Sequence, residues 1–404
     1  MKRYWKITFL CFLSIIVIGT FYIQSSLAGQ NHIRVELEKV KGSEKEVKDL
    51  ILYGDYVVGN LYQGLQITNE ETIQLNHQSF LQRLSTDRFA PMFRELMKNH
   101  KGFMRSKELN SSSFYEDENL LAYANVKGDF NRYPASEITF DIDVFNKKSK
   151  ETNSFEVNVP EQEKYGWMHV EDVLVAKDAL KVMVRGFEKN GREELRVYTF
   201  HLNEKKLTGD DTILSSQTGE NSWTEISLNG NHHSIQSPNH HLIIKRAYEA
   251  QEGQENREMM SYADESKIVS SEMYLYDLEK GQLKKMIVPE ELLQSYETIS
   301  ISQSSIFIQT LAENSLEVHS YDIEKEAWSD KRTFALPLLK AGSDHPFIKL
   351  MNGKIYTIYS TDNGHTLWIG DLQTGESLYE GKLNVVNQEK NHEEYRIYFN
   401  EIEL

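Results

Sequence analysis

One cysteine and seven prolines are all that the 404-residue chain contains of either residue. Cys11 falls inside an apolar run near the start, so the remainder has no disulfide and no cysteine nucleophile. Thr8-Phe9-Leu10 ahead of it lack the small residues of a lipoprotein cleavage motif, which excludes lipid attachment there. Disulfide-poor exported domains are more typical of bacterial envelopes than of eukaryotic secretion. Scarce proline leaves few enforced breaks in extended strands. Catalytic signatures are missing too: there is no G-x-S-x-G elbow, no H-E-x-x-H, no phosphate-binding glycine loop and no calcium loop. NHEEYRIYF (391–399) has no second histidine for a metalloprotease motif, and its alternation reads as a strand. No pattern implies a cofactor.

Cations are in deficit, with 45 Lys+Arg against 61 Asp+Glu. Three of them, Lys2, Arg3 and Lys6, precede the uncharged run Ile7–Ile23. A positive end followed by an apolar segment is an export signal, because the cations stay inside while the apolar run enters the bilayer. The run is longer than the usual signal-peptide core and just long enough to span. Tyr4, Trp5, Phe21 and Tyr22 suit the two interfaces, and Ser26-Leu27-Ala28 offers a small-x-small cleavage site. A retained single-pass anchor is the preferred expectation, and secretion after Ala28 the alternative. Residues 29–404 are then one extracytoplasmic domain. Without residues 1–28 that domain has 42 Lys+Arg against 61 Asp+Glu, a net charge of −19. Such a surface repels nucleic acid and anionic lipid and favours cationic partners.

What the chain does contain is alternation. EITFDIDVF, LRVYTFHL, EMYLYDL and KIYTIYS are period-two strands with turn residues between them. A unit of strand, short polar turn and strand recurs as LILYGDYVVGNLY, SFYEDENLLAYANV, DVLVAKDALKVMV, SIQSPNHHLIIKRAY, ISISQSSIFIQTL and FIKLMNGKIYTIY. The first apolar residues after these turns are Tyr56, Leu120, Leu180, Leu242, Ile306 and Ile355, spaced by 64, 60, 62, 64 and 49. Second hairpins follow, with turns FNKKSKE, LNEKKL, LEKGQL, IEKEAW and LQTGES. Four strands per repeat predict an all-β, six-bladed β-propeller, with seven blades as the alternative and a β-sandwich as the competing architecture. Ring closure has two expected routes. The terminal strand 394–404 and the initial strand 32–40 complete one blade together, or they contribute to a seventh.

QSPNHHLII resembles the Ser-Pro-Asp-Gly turn and apolar strand of TolB-like and WD-repeat-like propellers. The matching residues are Ser237, Pro238 and Asn239, then Leu242-Ile243-Ile244, with His240 in place of the glycine and Asn239 in place of the aspartate. MNGKIYTIY (351–359) is a fainter echo. The resemblance spans about residues 45–385 and implies a fold, not an activity. It also places the four histidines of NHHSIQSPNHH. His232 and His233 are expected to open an inner strand, and His240 and His241 to lie in the turn ending it, exposed. At ~3.3 Å per strand residue the pairs stand roughly 13–20 Å apart, too far to share one metal ion.

Tight turns predicted at one end of the blades contrast with long connections at the other: 77–112, 126–136, 185–194, 249–267 and 335–346. Loops lengthen where function uses them, so binding is expected on that face. In 77–112 Pro91 opens a helix that presents Phe93, Leu96 and Met97 together, and Gly102 ends it. Phe80, Leu81 and Leu84 suggest a shorter helix before it. The insert serves either as a lid or docking element, or as packing against a blade edge. The candidate binding residues are Phe89, Phe93 and Met97 on the insert, with Arg132, Tyr133, Arg185, Asp344, His345, Asp362 and His365 on the loops. No catalytic or metal-binding residue is assigned. Asp141 and Asp143 share a strand face as an acid/base pair would, but in so acidic a domain they read as exposed strand acids.

A binding or regulatory module of the bacterial envelope, with a protein partner there and the membrane as a second if residues 7–23 are retained, fits these features best. A hydrolase or lyase acting on glycan or peptide through loop carboxylates and histidines is the rival, and a structural subunit of an envelope assembly the third.

Overall fold

The computed structural model describes residues 33–59, 61–75, 91–130, 137–217, 219, 222–229, 239–249, 267–295, 298–301, 304–312, 315–335, 346–361, 364–386 and 395–404, with a few positions before residue 33. Most of residues 7–23, the cleavage site at 26–28 and the connection 76–90 lie outside them. Among the described residues no helix is long and apolar enough to cross a membrane. Two compact units emerge. Unit 1 holds residues 1–90, 313–315 and 333–404, and unit 2 holds residues 91–312 and 316–332.

Unit 1 begins with β1 (Val35–Gly42), β2 (Ile51–Val58), β3 (Leu61–Ile67) and β4 (Thr72–Gln74). Unit 2 opens with α1 (Pro91–Asn99), followed by β5 (Phe114–Glu116), β6 (Leu120–Lys127), β7 (Thr139–Asn146) and β8 (Thr152–Asn158). Next come β9 (Tyr165–Ala176), β10 (Ala179–Glu188), β11 (Glu193–His201) and β12 (Lys206–Ser215). A third group is β13 (Ser222–Asn229), β14 (His240–Glu249), β15 (Lys267–Asp277) and β16 (Gln282–Lys285). Helix α2 (Glu290–Ser295) leads to β17 (Thr298–Ile301), β18 (Ser305–Ala312), β19 (Ser315–Asp322) and β20 (Ala327–Trp328). After β21 (Arg332–Ala335) the chain finishes with β22 (Phe347–Met351), β23 (Lys354–Thr361), β24 (Gly364–Asp371), β25 (Ser377–Val385) and β26 (Arg396–Glu403).

Six antiparallel sheets result among the described residues, built as up-and-down meanders in which sequential strands pair. This is the strand order of propeller blades. Turn chemistry explains the hairpins. Asn352 and Gly353, both at positive φ (52° and 71°), form the two-residue loop between β22 and β23, the backbone that an Asn-Gly hairpin turn requires. Asp117 closes the β5–β6 turn by accepting from the amides of Asn119 and Leu120, each at 2.7 Å.

Three sequence expectations are corrected. The terminal strands neither share a sheet nor form a further one. β26 pairs with β2 as an edge strand of the β2–β4 sheet, whereas β1 adds a fifth strand outside β25. Gly54-Asp55, read as a turn, lies inside β2, where the pairing with β26 slips by one residue. His240 and His241 begin β14 instead of lying in the turn before it. His232, His233 and the turn residues 237–238 lie outside the described residues.

Each unit has its own apolar seams. In unit 2 one seam joins the β5–β8 and β9–β12 sheets around Ile142, Val184 and Phe200. A second joins β9–β12 to β13–β16 around Met183, Ile226 and Ile243, and a third joins β13–β16 to β17–β20 around Ile244 and Ile308. In unit 1 the two sheets close on Leu52, Leu65, Tyr356 and Leu383.

Candidate functional site

Packing accounts for much of the helical insert. Phe93 and Leu96 of α1 are buried, as are Phe103 and Met104 just after it. Phe93 meets Phe114 edge-on with ring centroids 5.7 Å apart, and Phe103 meets Phe145 at 5.9 Å. Phe93 is therefore committed to packing on the β5–β8 sheet and presents no free surface. Met97 is half-buried on the same helix, while Phe89 lies outside the described residues. Nor are the two paired aspartates free strand acids. Asp143 is bridged by Lys107, and Asp141 lies 2.8 Å from Lys127.

Of the loop residues, Arg132, Tyr133, Asp344, His345 and Asp362 lie outside the described residues. His365 is the second residue of β24 in unit 1, half-buried, with its ring edge-on to Phe399 at 5.4 Å. Arg185 belongs to unit 2, and its surroundings form a site. The segment 185–194 is not a long loop. β10 runs on to Glu188 and β11 restarts at Glu193, leaving only Lys189–Arg192 as the turn.

Arg185 sits opposite His169 of β9 and Leu195 of β11. Its guanidinium donates to the carboxylates of Glu171 and Glu193 and to the carbonyl of Ile226 on β13. The Arg185, Glu171 and Glu193 side chains are only 13%, 10% and 11% exposed, so these are buried charges. Buried charges persist only when paired and hydrogen-bonded. β13 is the edge strand of its sheet, and the Arg185 bond supplies a partner for its outward carbonyl at Ile226.

A β-bulge creates this convergence. Val184 pairs with Val170 and Met183 with Asp172, which leaves Glu171 as the extra residue of β9. Alternation would send neighbouring side chains to opposite faces, but the bulge turns both acids toward the β13–β16 sheet. Glu171 meets Arg185 and also His169, whose Nε2 is 3.1 Å away. Asp172 meets His241 of β14, whose Nε2 lies 2.7 Å from the carboxylate without hydrogen-bond geometry. His241 is buried at 2% exposure, which corrects the expectation of an exposed turn histidine. His240 is half-buried, 3.6 Å from Asp277.

Electrostatics separates the two glutamates. Burial alone would raise the Glu171 carboxyl, but the hydrogen bond from His169 and the Arg185 guanidinium outweigh it and hold it at about 2. Glu193 moves the other way, since burial pushes it above the ordinary carboxylate range despite Arg185.

Above this network the surface is aromatic. Trp167 precedes His169 on the same face of β9 and pairs with Phe187 of β10. Its ring lies 4.4 Å from that of His169 at 34° and 5.4 Å from that of Phe187 at 40°. Even so, Trp167 is 44% exposed. The site thus joins an exposed indole, braced from two sides, to a buried carboxylate–guanidinium network. Of these residues Arg185 was named from the sequence, and Trp167, His169, Glu171 and Glu193 were not. The available signal was W-x-H-x-E alternation at 167–171 broken by a second acid at 172.

Comparison with known protein families and with curated proteins finds no match. Among solved structures, the chain is similar to the β-propeller domain of the Trilobed protease from Pyrococcus furiosus, at 11% identity and a TM-score of 0.32, covering 91% of this chain and 97% of that one. It is similar to TolB from Acinetobacter baumannii at 10% identity and a TM-score of 0.22, covering 65% and 68%. The Dos1 propeller matches at 11% identity and a TM-score of 0.28, covering 65% and 56%. At these identities and scores the likeness carries no inference about activity or partners.

Proposed function

We propose that the chain is a six-bladed extracytoplasmic β-propeller acting as a binding or regulatory module of a bacterial envelope. Residues 7–23 hold it at the membrane, with release after Ala28 as the alternative, and the Trp167–His169–Phe187 platform contacts a protein partner. The single observation behind this reading is the 44% exposure of Trp167. Large aromatics braced by their neighbours yet open to solvent are typical anchors of protein interfaces. The test is affinity capture from host membranes with full-length protein and with Trp167→Ala. A co-purifying protein lost only from the variant supports the reading, and an unchanged set of partners refutes it. Alkaline carbonate extraction checks the anchor: resistance to extraction is expected, and recovery of a soluble form starting at Gly29 would replace the anchor with cleavage.

A further inference from the structure

We infer that the Trp167 platform receives a cationic side chain, a lysine or arginine presented by the partner protein. The inference rests on the binding role proposed for this platform and adds the chemistry of its ligand.

Charge complementarity carries the argument. On the face of the β9–β12 sheet that Trp167 shares, the carboxylates of Glu171 and Glu193 share the one guanidinium of Arg185, while Asp172 lies against His241. Glu225 on β13 is close enough to act on Glu193 as well, and it stands opposite Arg246 of β14. Two carboxylates to one guanidinium leave the Arg185 network with one carboxylate in formal excess behind an exposed aromatic ring. An indole face is itself electronegative and attracts ammonium and guanidinium groups. Field and ring point to the same ligand sign. An anionic side chain would meet both the excess carboxylate and a chain of net charge −16.

The experiment uses the full chain and four probes: a short oligolysine peptide, a short oligoarginine peptide, the same oligolysine with every side chain acetylated, and tetramethylammonium chloride. Binding is followed by calorimetry and by tryptophan fluorescence, comparing wild type with Trp167→Ala and Trp167→Phe. Both basic peptides are expected to bind, to weaken about tenfold in Trp167→Ala and by less in Trp167→Phe, and to weaken further as salt rises. Equal binding of the acetylated peptide would remove charge from the recognition. Peptide binding that survives Trp167→Ala would assign it to the general acidic surface and overturn the site. Tetramethylammonium binding as tightly as the peptides would make this a small-cation site and overturn the partner assignment. If affinity capture depends on Trp167 while neither peptide binds, the platform stands and only the cationic ligand falls. If neither depends on Trp167, both fall.

Discussion

The two faces of the β9–β12 sheet solve the same electrostatic problem with different outcomes. Glu193 and Glu194 are consecutive on β11, so their side chains leave the sheet on opposite sides. Each finds an arginine. On one side Glu194 lies 3.1 Å from Arg196 and 3.3 Å from Lys164, and Arg196 continues to Asp210 at 2.7 Å. Tyr165 and Tyr198 close over this network, with Tyr198 packed on Phe140 at 4.7 Å. Burial lifts the Tyr165 hydroxyl to about 12, and burial with the nearby Tyr165 lifts Tyr198 as well. On the other side Glu193 joins Arg185 and Glu171, and the cover is Trp167 with nearly half its surface in water. A charge network roofed by core ties two sheets together. One that runs out to an exposed aromatic ring ties the sheets and also supports a surface.

Breaking the arginines tests the shared part of this comparison and has the largest expected effect. Arg185→Met leaves Glu171 and Glu193 buried without their guanidinium, whereas Arg196→Met leaves Glu194 with Lys164. The first should cost about 3–5 kcal/mol in denaturant unfolding and the second less. Adding Glu171→Gln and Glu193→Gln to Arg185→Met should restore most of the loss. A triple variant no more stable than the single one would show that the networks are not held by charge pairing.

Acid separates the two sides of Glu171's balance. Its carboxyl is depressed from 4.5 to about 2 in the fold. The stability it contributes is therefore complete above about pH 4.5 and is lost as pH falls toward 2, on the order of 3 kcal/mol in all. Glu193, raised by burial, has the opposite sign: it weighs against the fold when ionised, and that burden is relieved as it takes up a proton above the unfolded-state value. Glu171→Gln should flatten the stability profile in the acid window, and an unchanged profile would mean that Glu171 is not the ionised partner.

Smaller effects distinguish the histidines. His241→Asn removes a buried ring that lies against Asp172 and should cost about 1–3 kcal/mol. His240→Asn should stay within about 0.5 kcal/mol. Equal costs would contradict the burial difference between them. Trp167→Ala should likewise change stability by only about 1 kcal/mol or less, since the ring is 44% exposed, while removing partner binding. A large loss of stability would make the ring a packing residue like Phe93.

Where the signal was local, the sequence was sufficient. DVLVAKDALKVMV announced β9 and β10 because Lys177-Asp178 is a two-residue turn between alternating apolar runs. FIKLMNGKIYTIY announced β22 and β23 through Asn352-Gly353 in the same way. Gly54-Asp55 misled, because a glycine at a pairing slip inside one strand has the same composition as a turn. The helix at 91–99 was readable from Pro91 and its apolar stripe, but not the side of the balance it falls on. Only the contact of Phe93 with Phe114 decides for packing.

Alternation and turn chemistry by themselves determined that this protein is all-β, where most of its hairpins turn and that its charge is acidic, since each depends on residues a few positions apart. Tertiary structure alone decided that β26 pairs with β2, that a bulge sends Glu171 and Asp172 to one face, and that His241 is buried while Trp167 is not. Those outcomes depend on which strand, tens or hundreds of residues away, lies opposite. No local pattern encodes that choice, because pairing partners are selected by the free energy of the whole assembled sheet.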